Sequence, residues 1–175
     1  MLTGHVAVAM GAHGIRNSIP LWVLVVASQL PDWADAVVCS SGLRPSVTGM
    51  YSHSWAATAG LALLAGLIST VLLRDLAGGL VVSAVVVMHT AGDYVTGIKP
   101  TWPDGPMIGM QLYSVPALDF VFETVVVAAC WLLYRRSFPQ SRRSDGRLLI
   151  LPAALIAIQA VSDIVLFFSP TLQKC

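Results

Sequence analysis

Long apolar runs alternate with short polar connections along most of this chain. Four of the runs approach the ~20 residues that an α-helix needs to cross the hydrocarbon of a membrane. They cover residues 55–73, 76–93, 116–134 and 148–168. The pattern therefore predicts an all-α, polytopic membrane bundle with four clear transmembrane helices.

The first 31 residues are also apolar, but polar residues interrupt them near the middle. In a single span, Arg16 would lie where charge is costly and Pro20 would break the helix. The sequence favours an N-terminal helical hairpin, with helices over about 3–15 and 20–30 and a turn at 16–18. Pro20 then lies in the first turn of its helix, where proline is preferred. A fifth span is the alternative.

Composition supports a single integral membrane domain over residues 1–175. The chain is 56% hydrophobic and 11% charged, with a mean hydropathy of +0.76, whereas an ordinary soluble domain is about 25% charged. The net charge of +1 provides no basic stripe, which argues against a nucleic-acid partner. Cys39, Cys130 and Cys175 have no Cys-x-x-Cys spacing, so they indicate neither a disulfide framework nor a thiolate metal site.

Positive charge predicts the orientation of the bundle. Five arginines lie at 135, 136, 142, 143 and 147, between the last two spans. The positive-inside rule places this loop, 135–147, in the cytoplasm. The loops 32–54 and 95–115 then face outside, and prolines at 100, 103 and 106 should make the second a rigid rim. We expect a multi-pass protein of the bacterial cytoplasmic membrane.

Histidines and carboxylates converge at the outer end of this predicted topology. His89 and Asp93 are four residues apart and therefore share one face of a helix. Ionisable groups within a membrane span suggest a functional site. Imidazole and carboxylate without thiolate suit zinc or another divalent first-row metal. The candidate ligands are His5, Asp32, Asp35, His53, His89 and Asp93.

Six ligands exceed what one tetrahedral ion uses, so we expect one to three divalent ions, with zinc as the expected metal. Other polar residues at this end could complete the site or orient the histidines. These are Asp119, Glu123 and Asp163. Arg44 and Lys99, in the outer loops, could contact a phosphate or carboxylate of a substrate.

The same side chains also have ordinary structural explanations. An intrahelical hydrogen bond would account for the His-Asp pair near the end of span 76–93. Helix caps and turns would account for His53 and the other carboxylates. Contacts with lipid head groups would account for Arg44 and Lys99. What favours a metal site is the convergence of these groups at one end of the bundle.

Four short motifs follow one another in a characteristic order over residues 3–106. They are Thr-Gly-His5, Leu-Pro-Asp32-x-x-Asp35, Ser-His53-Ser, and His89-x-x-x-Asp93-x-x-Thr-Gly before the proline-rich stretch. This order resembles the YdjM-like, LexA-regulated family of membrane-bound metal-dependent hydrolases, which is distantly similar to zinc-dependent phospholipase C. The resemblance implies that all six candidate ligands belong to a metal site, since phospholipase C-like enzymes use a His-x-x-x-Asp helix pair in a three-zinc cluster.

The chain departs from the family pattern at one position of interest. The family usually carries Arg-Gly before Thr-His-Ser, whereas Gly-Met-Tyr-Ser precedes His53 here. Arg44 is a candidate substitute for that arginine. The last two spans resemble the family only as membrane helices.

From the residues and the resemblance we expect a phosphoesterase-like, metal-dependent hydrolase. Its substrate would be a membrane lipid or a lipid-linked molecule, attacked by a metal-activated water at the outer face of the membrane. Asp32, Asp35, Glu123 and Asp93 are the candidate general bases. The alternative is a non-catalytic membrane protein, a transporter subunit or scaffold, with a structural or transported cation site. The inner halves of the four spans contain no acid or histidine, which argues against a relay across the membrane.

Overall fold

The computed structural model describes residues 1–41, 51–103 and 105–168. Seven α-helices form within these ranges, in agreement with the predicted all-α class. They are α1 (Thr3–Ile15), α2 (Leu21–Ser28), α3 (Leu30–Ser40), α4 (Trp55–Leu73), α5 (Leu76–Thr96), α6 (Pro116–Arg135) and α7 (Ile150–Phe168). Short 3-10 turns cover Tyr51–His53, Leu112–Ser114, Gln140–Arg142 and Gly146–Leu149. Arg44, a predicted substrate contact, lies outside the described residues.

The four predicted membrane-spanning segments are confirmed as helices long and apolar enough to cross a membrane. The candidate spans are Trp55–Leu73, Leu76–Thr96, Pro116–Arg135 and Gly146–Val165. Their exposed side chains are largely aliphatic, for example Leu63, Leu72 and Leu80, which suits contact with lipid. Helix α5 continues three residues beyond its predicted end, so Asp93 lies inside the helix.

The N-terminal segment forms the predicted hairpin. Helix α1 ends at Ile15, a turn follows, and Pro20 is the residue immediately before α2.

Helix α2 breaks near Gln29 and continues as α3 at an angle of 47°. The sequence predicts a loop from residue 32, but α3 extends to Ser40. No glycine or proline occurs between Asp32 and Ser41 to end the helix, and the bent pair α2–α3 is itself long and apolar enough for a broken span.

Two apolar clusters hold the helices together. One contains Ile19, Leu24 and Val86 and joins α1, α2, α4 and α5. The other contains Met10 and Val127 and joins α1 with α6 and α7. Because α1 contributes to both clusters, its N-terminal turn is fixed between the end of α5 and the beginning of α6.

A short β-hairpin forms the proline-rich rim predicted for residues 95–115. Strand β1 (Lys99–Pro100) pairs antiparallel with β2 (Met107–Ile108). The Tyr94 hydroxyl donates a hydrogen bond of 2.6 Å to the carbonyl of Pro100, and the Trp55 amide donates one of 3.0 Å to the carbonyl of Thr101. The Tyr94 and Trp55 rings are stacked, 5.2 Å apart. These contacts fix the hairpin to the adjoining ends of α4 and α5.

Candidate metal centre

Four side chains from three segments meet where α3, α4 and α5 come together. Asp32 lies in the first turn of α3, His53 lies just before α4, and α5 provides both His89 and Asp93. One ligand atom from each of the four lies within 4.8 Å of every other, so the group could hold a metal ion. Ser54 begins α4 by accepting a hydrogen bond from the Ala57 amide, which leaves His53 free of the capping role.

Five of the six distances within this group are close to those between the ligands of one tetrahedral ion. His53 Nε2 lies 3.1 Å from His89 Nε2 and 2.9 Å from Asp93 Oδ2. Asp32 Oδ1 lies 3.3 Å from His53 Nε2 and 3.5 Å from His89 Nε2. His89 Nε2 lies 3.6 Å from Asp93 Oδ2, too far for the intrahelical hydrogen bond that would explain this pair structurally. Ligands ~2.0 Å from a tetrahedral zinc ion are about 3.3 Å apart, in the middle of these distances.

Hydrogen bonds behind the two histidines turn the same ring nitrogen toward the group. His89 Nδ1 lies 2.6 Å from the carbonyl of Ser28, so it carries the proton and Nε2 keeps its lone pair. His53 Nδ1 lies 2.8 Å from Asp35 Oδ2, and the Ser52 amide donates to the other oxygen of Asp35 at 3.4 Å. A carboxylate or carbonyl behind the imidazole is the usual support of a metal-binding histidine.

His5 and Asp35, two of the six predicted ligands, lie outside the group of four. His5 Nε2 is 3.1 Å from Asp93 Oδ1, the oxygen that faces away from the group. The His5 ring is also stacked on His89, with centroids 3.6 Å apart. The structure thus brings all six predicted residues together, four in the group and two in contact with its members. This arrangement has ligands for one ion, whereas the sequence allowed up to three.

Two cations lie next to Asp93 and offset its negative charge. The α-ammonium of Met1 lies 2.6 Å from Asp93 Oδ1. Lys99 Nζ lies 3.1 Å from Asp93 Oδ2, and its contact with a substrate anion stays a prediction. Burial of His53 opposes its protonation, but hydrogen bonds to Asp32, Asp35 and Asp93 outweigh burial and raise the pKa of His53 to about 10. A divalent cation would therefore replace a proton on His53 when it binds.

The four members of the group differ in exposure. The side chains of His53, His89 and Asp93 are 1%, 0% and 5% exposed, whereas that of Asp32 is 46% exposed. Asp32 therefore forms the open side of the site.

Glu123, a candidate general base, has a different role. Its carboxylate accepts hydrogen bonds of 3.0, 3.1 and 2.8 Å from the backbone amides of Leu2, Thr3 and Gly4. These amides lie at the N-terminus of α1, where backbone donors have no partner within the helix and a negative charge is favourable. Glu123 caps α1, the helix that carries His5, and its bonded oxygens do not support its use as a base.

Asp119 and Asp163 form a second polar cluster, separate from the group of four. They are joined by Gln159, whose Nε2 lies 3.3 Å from Asp119 Oδ2 and 2.8 Å from Asp163 Oδ1. Sequence reasoning missed Gln159. The available signal was its position in an apolar helix four residues before Asp163, which places both on one face.

A cavity of about 640 Å³ connects the metal group with this second cluster. Its lining includes Asp32, Asp93 and Lys99 from the first region, and Gln159 and Asp163 from the second. The apolar residues Val161 and Val165 also line it. Both valines are exposed on the surface of α7, at 61% and 44%, so the cavity reaches the apolar outer surface of the bundle.

Comparisons of the chain with protein-family models, with curated proteins and with solved structures find no match.

Proposed function

We propose that this chain is a membrane-embedded, metal-dependent hydrolase of a phosphoester in a lipid or lipid-linked substrate. The observation that carries the proposal is that three of the four possible ligands, His53, His89 and Asp93, are buried, whereas the fourth, Asp32, is exposed and opens the group to the cavity. The volume of about 640 Å³ lies within the range of small-molecule sites. The cavity's contact with the apolar surface suits a substrate that resides in the membrane.

Zinc is the metal that two imidazoles and two carboxylates favour. His53, His89 and Asp93 are the buried ligands that would hold it. A bound divalent cation supplies a Lewis acid that activates water and polarises a phosphoryl oxygen. The combined charge of two neutral imidazoles, two carboxylates and one divalent cation is zero, which limits the cost of the site within a membrane protein.

Two side chains at the cavity supply the remaining chemistry. Asp32 is the exposed member of the group, and its carboxylate is placed to take a proton from the attacking water. Lys99 presents an ammonium next to Asp93, where it would pair with the phosphate of a substrate. Asp35 stays behind His53 and fixes its orientation.

The order of motifs along the chain adds support, because it resembles that of the YdjM-like membrane-bound hydrolases. The arginines of residues 135–147 favour the cytoplasmic side for that loop and hence the outer face of a bacterial cytoplasmic membrane for the site.

The decisive experiment measures metal content and hydrolysis on the same preparations of detergent-purified protein. We expect about one zinc ion per chain by elemental analysis, and chelator-sensitive release of a phosphorylated head group from mixed phospholipid vesicles. His89→Ala should lose both. His13→Ala is the matched control, since His13 Nδ1 contacts the carbonyl of Ile19 away from the site. Wild-type protein that binds no divalent metal, or His89→Ala protein that retains it, would contradict the proposal.

A structural cation site in a non-catalytic membrane protein is the second candidate. It is favoured by the presence of four protein ligand atoms, because structural zinc sites are closed by four such ligands. In that case zinc removal should unfold the protein, and no phospholipid should be hydrolysed by the zinc-bound form.

A further inference from the structure

We infer that the arginine-rich loop 135–147 forms a binding site for the phosphodiester group of an anionic phospholipid. The loop lies at the far end of the bundle from the metal group. Helix α1 begins beside that group, and its Gly4 amide donates a hydrogen bond to Glu123 of α6. Gly14, in the last turn of α1, packs against the backbone of Leu133. Helix α6 therefore runs alongside α1 and carries the loop away from the metal group, so the inference is independent of the proposed function.

The position of the loop places it at a surface of the membrane. It connects two candidate spans, Pro116–Arg135 and Gly146–Val165. A connection as short as 136–145 cannot leave the layer of lipid head groups. The indole N–H of Trp131 donates a hydrogen bond of 3.1 Å to the carbonyl of Leu148 and so joins the two helix ends, and tryptophan is typical of this layer. The guanidinium groups of the loop are thus held at the depth of the lipid phosphates.

The first observation that points to an anion is a concentration of positive charge without a counter-charge in the chain. The loop contains five arginines and one acid, Asp145. Asp145 accepts a hydrogen bond from the backbone amide of Arg147. Among the described residues, the arginine that forms an ion pair is Arg16, with Asp75 in a different loop. Like charges close together repel one another, and an anion from outside the chain would remove that repulsion.

The second observation is that hydrogen bonds to the main chain hold two of these side chains in place. Arg135 Nε donates to the carbonyl of Arg143 at 2.6 Å. Arg143 donates from Nε to the carbonyl of Phe138 at 3.0 Å and from Nη2 to that of Arg136 at 3.1 Å. The Arg135 guanidinium also lies 5.6 Å from the centre of the Trp131 ring. Within the part of the chain that the structure describes, both Nη atoms of Arg135 and Nη1 of Arg143 remain without a hydrogen-bond partner.

These two side chains suit a phosphodiester in particular. A guanidinium presents planar, paired donors that match the oxygens of a phosphate, and here part of its ordering is already achieved by the loop. The exposed arginines Arg136, Arg142 and Arg147 add positive charge around the same loop. A lipid with a net negative charge, such as phosphatidylglycerol, satisfies both features. Phosphatidylcholine offers the same phosphodiester, but its choline cation would be repelled by the surrounding arginines.

Native mass spectrometry of the detergent-solubilised protein tests this inference, because it resolves individual bound lipids. The protein is equilibrated with dioleoyl phosphatidylglycerol or with dioleoyl phosphatidylcholine, which share their acyl chains and phosphodiester and differ in net charge. We expect the first phosphatidylglycerol to bind at least about tenfold more tightly than the first phosphatidylcholine. Arg143→Gln should weaken phosphatidylglycerol binding about fivefold, the usual contribution of one basic residue at an anionic membrane surface.

Arg136→Gln is a second variant in case Arg143→Gln fails to fold. The Arg136 side chain is exposed and, among the described residues, makes no hydrogen bond that holds the loop, yet its loss should also weaken phosphatidylglycerol binding. Arg74→Gln is the matched control, since Arg74 is an exposed arginine after α4, at the same end of the bundle. This variant loses the same charge and should keep the wild-type affinity.

Three results would overturn the inference. Equal affinity of the wild-type protein for the two lipids would leave an acidic segment of another protein as the occupant of the loop. Wild-type affinity in both folded loop variants would place the lipid elsewhere, and an equal loss in Arg74→Gln would reduce the effect to the overall charge of this end. Lipid binding is measured here without hydrolysis, so failure of the proposed activity would not alter any of these readings.

Discussion

Asp32 occupies a position unlike that of the other three residues in the metal group, because almost half of its side chain is exposed, at 46%. If it acts as a base, Asp32→Asn should keep its zinc and lose hydrolytic rate by about 10²- to 10⁴-fold, the usual contribution of general base catalysis. Elemental analysis and initial rates on the same samples measure the two effects. Loss of zinc to the extent expected for His89→Ala would instead identify Asp32 as an essential fourth ligand.

His53 carries a proton in the ion-free protein over a wide pH range. Burial opposes that proton, but the surrounding carboxylates raise the pKa of His53 to about 10, from an ordinary value of 6.5. The proton's contribution to folding is therefore fully present below about pH 6.5 and is lost as pH rises through about 10. Since a metal-binding imidazole must be neutral, zinc binding at pH 8 should release about one proton.

Calorimetric titration with zinc in buffers of different ionisation enthalpy measures this release directly. His13→Ala should release the same number of protons as wild-type protein, because His13 does not contact the site. No proton release at pH 8 would show that His53 is already neutral and that its carboxylate contacts do not protonate it.

The residues of the site could be predicted from the sequence better than their separate roles. His89 and Asp93 share a helical face by spacing alone, and the predicted topology brings His53, Asp32 and His5 to the same end. Spacing cannot show that His5 turns toward the far oxygen of Asp93, since this depends on how α1 packs. The contact between His89 and the Ser28 carbonyl involves a backbone group, for which no residue type gives a signal.

The beginning of helix α1 depends directly on one residue of another helix. Glu123 of α6 accepts hydrogen bonds from three backbone amides at the N-terminus of α1. Bonds to a charged acceptor contribute about 1.5–3 kcal/mol each at most, and a lost helix cap costs about 0.5–2 kcal/mol. Glu123→Ala should therefore lower the free energy of unfolding by about 2 kcal/mol or more.

Reversible unfolding in mixed detergent micelles would measure this loss, with Asp145→Ala as the control because that carboxylate is exposed and caps a single turn. Glu123→Ala should also reduce zinc affinity modestly, since α1 carries His5. If stability were unchanged while hydrolysis disappeared, Glu123 would have the catalytic role that its hydrogen bonds do not indicate.

Prediction of the elements from the sequence succeeded where length and apolar character decide the structure. The predicted segment 55–73 coincides with α4, and the N-terminal hairpin has its turn at the expected place. The loop predicted from residue 32 was wrong for residues 32–40, which belong to α3, because the acids Asp32 and Asp35 make that stretch look like a polar loop. Both acids contact His53, and the intervening residues are compatible with a helix.

The cavity connects the metal group with the apolar surface of α7. Val161 lines the cavity and is 61% exposed, so a lipid in the surrounding membrane would enter beside it. A tryptophan at this position would narrow the entrance. Ile158, on the same helix and 51% exposed, does not belong to the cavity lining and provides a matched position.

We therefore expect Val161→Trp to lower kcat/KM for a long-chain phospholipid by at least about tenfold, an increase of ~1.4 kcal/mol in the barrier. Its zinc content should equal that of wild-type protein. Ile158→Trp should change neither quantity by more than about twofold.

A soluble, short-chain phosphoester should be hydrolysed by both variants at the wild-type rate, since it reaches the site from water past Asp32. Equal losses for the lipid and the soluble substrate in Val161→Trp would mean that the tryptophan distorts the site, and equal losses in both variants would place the entrance elsewhere.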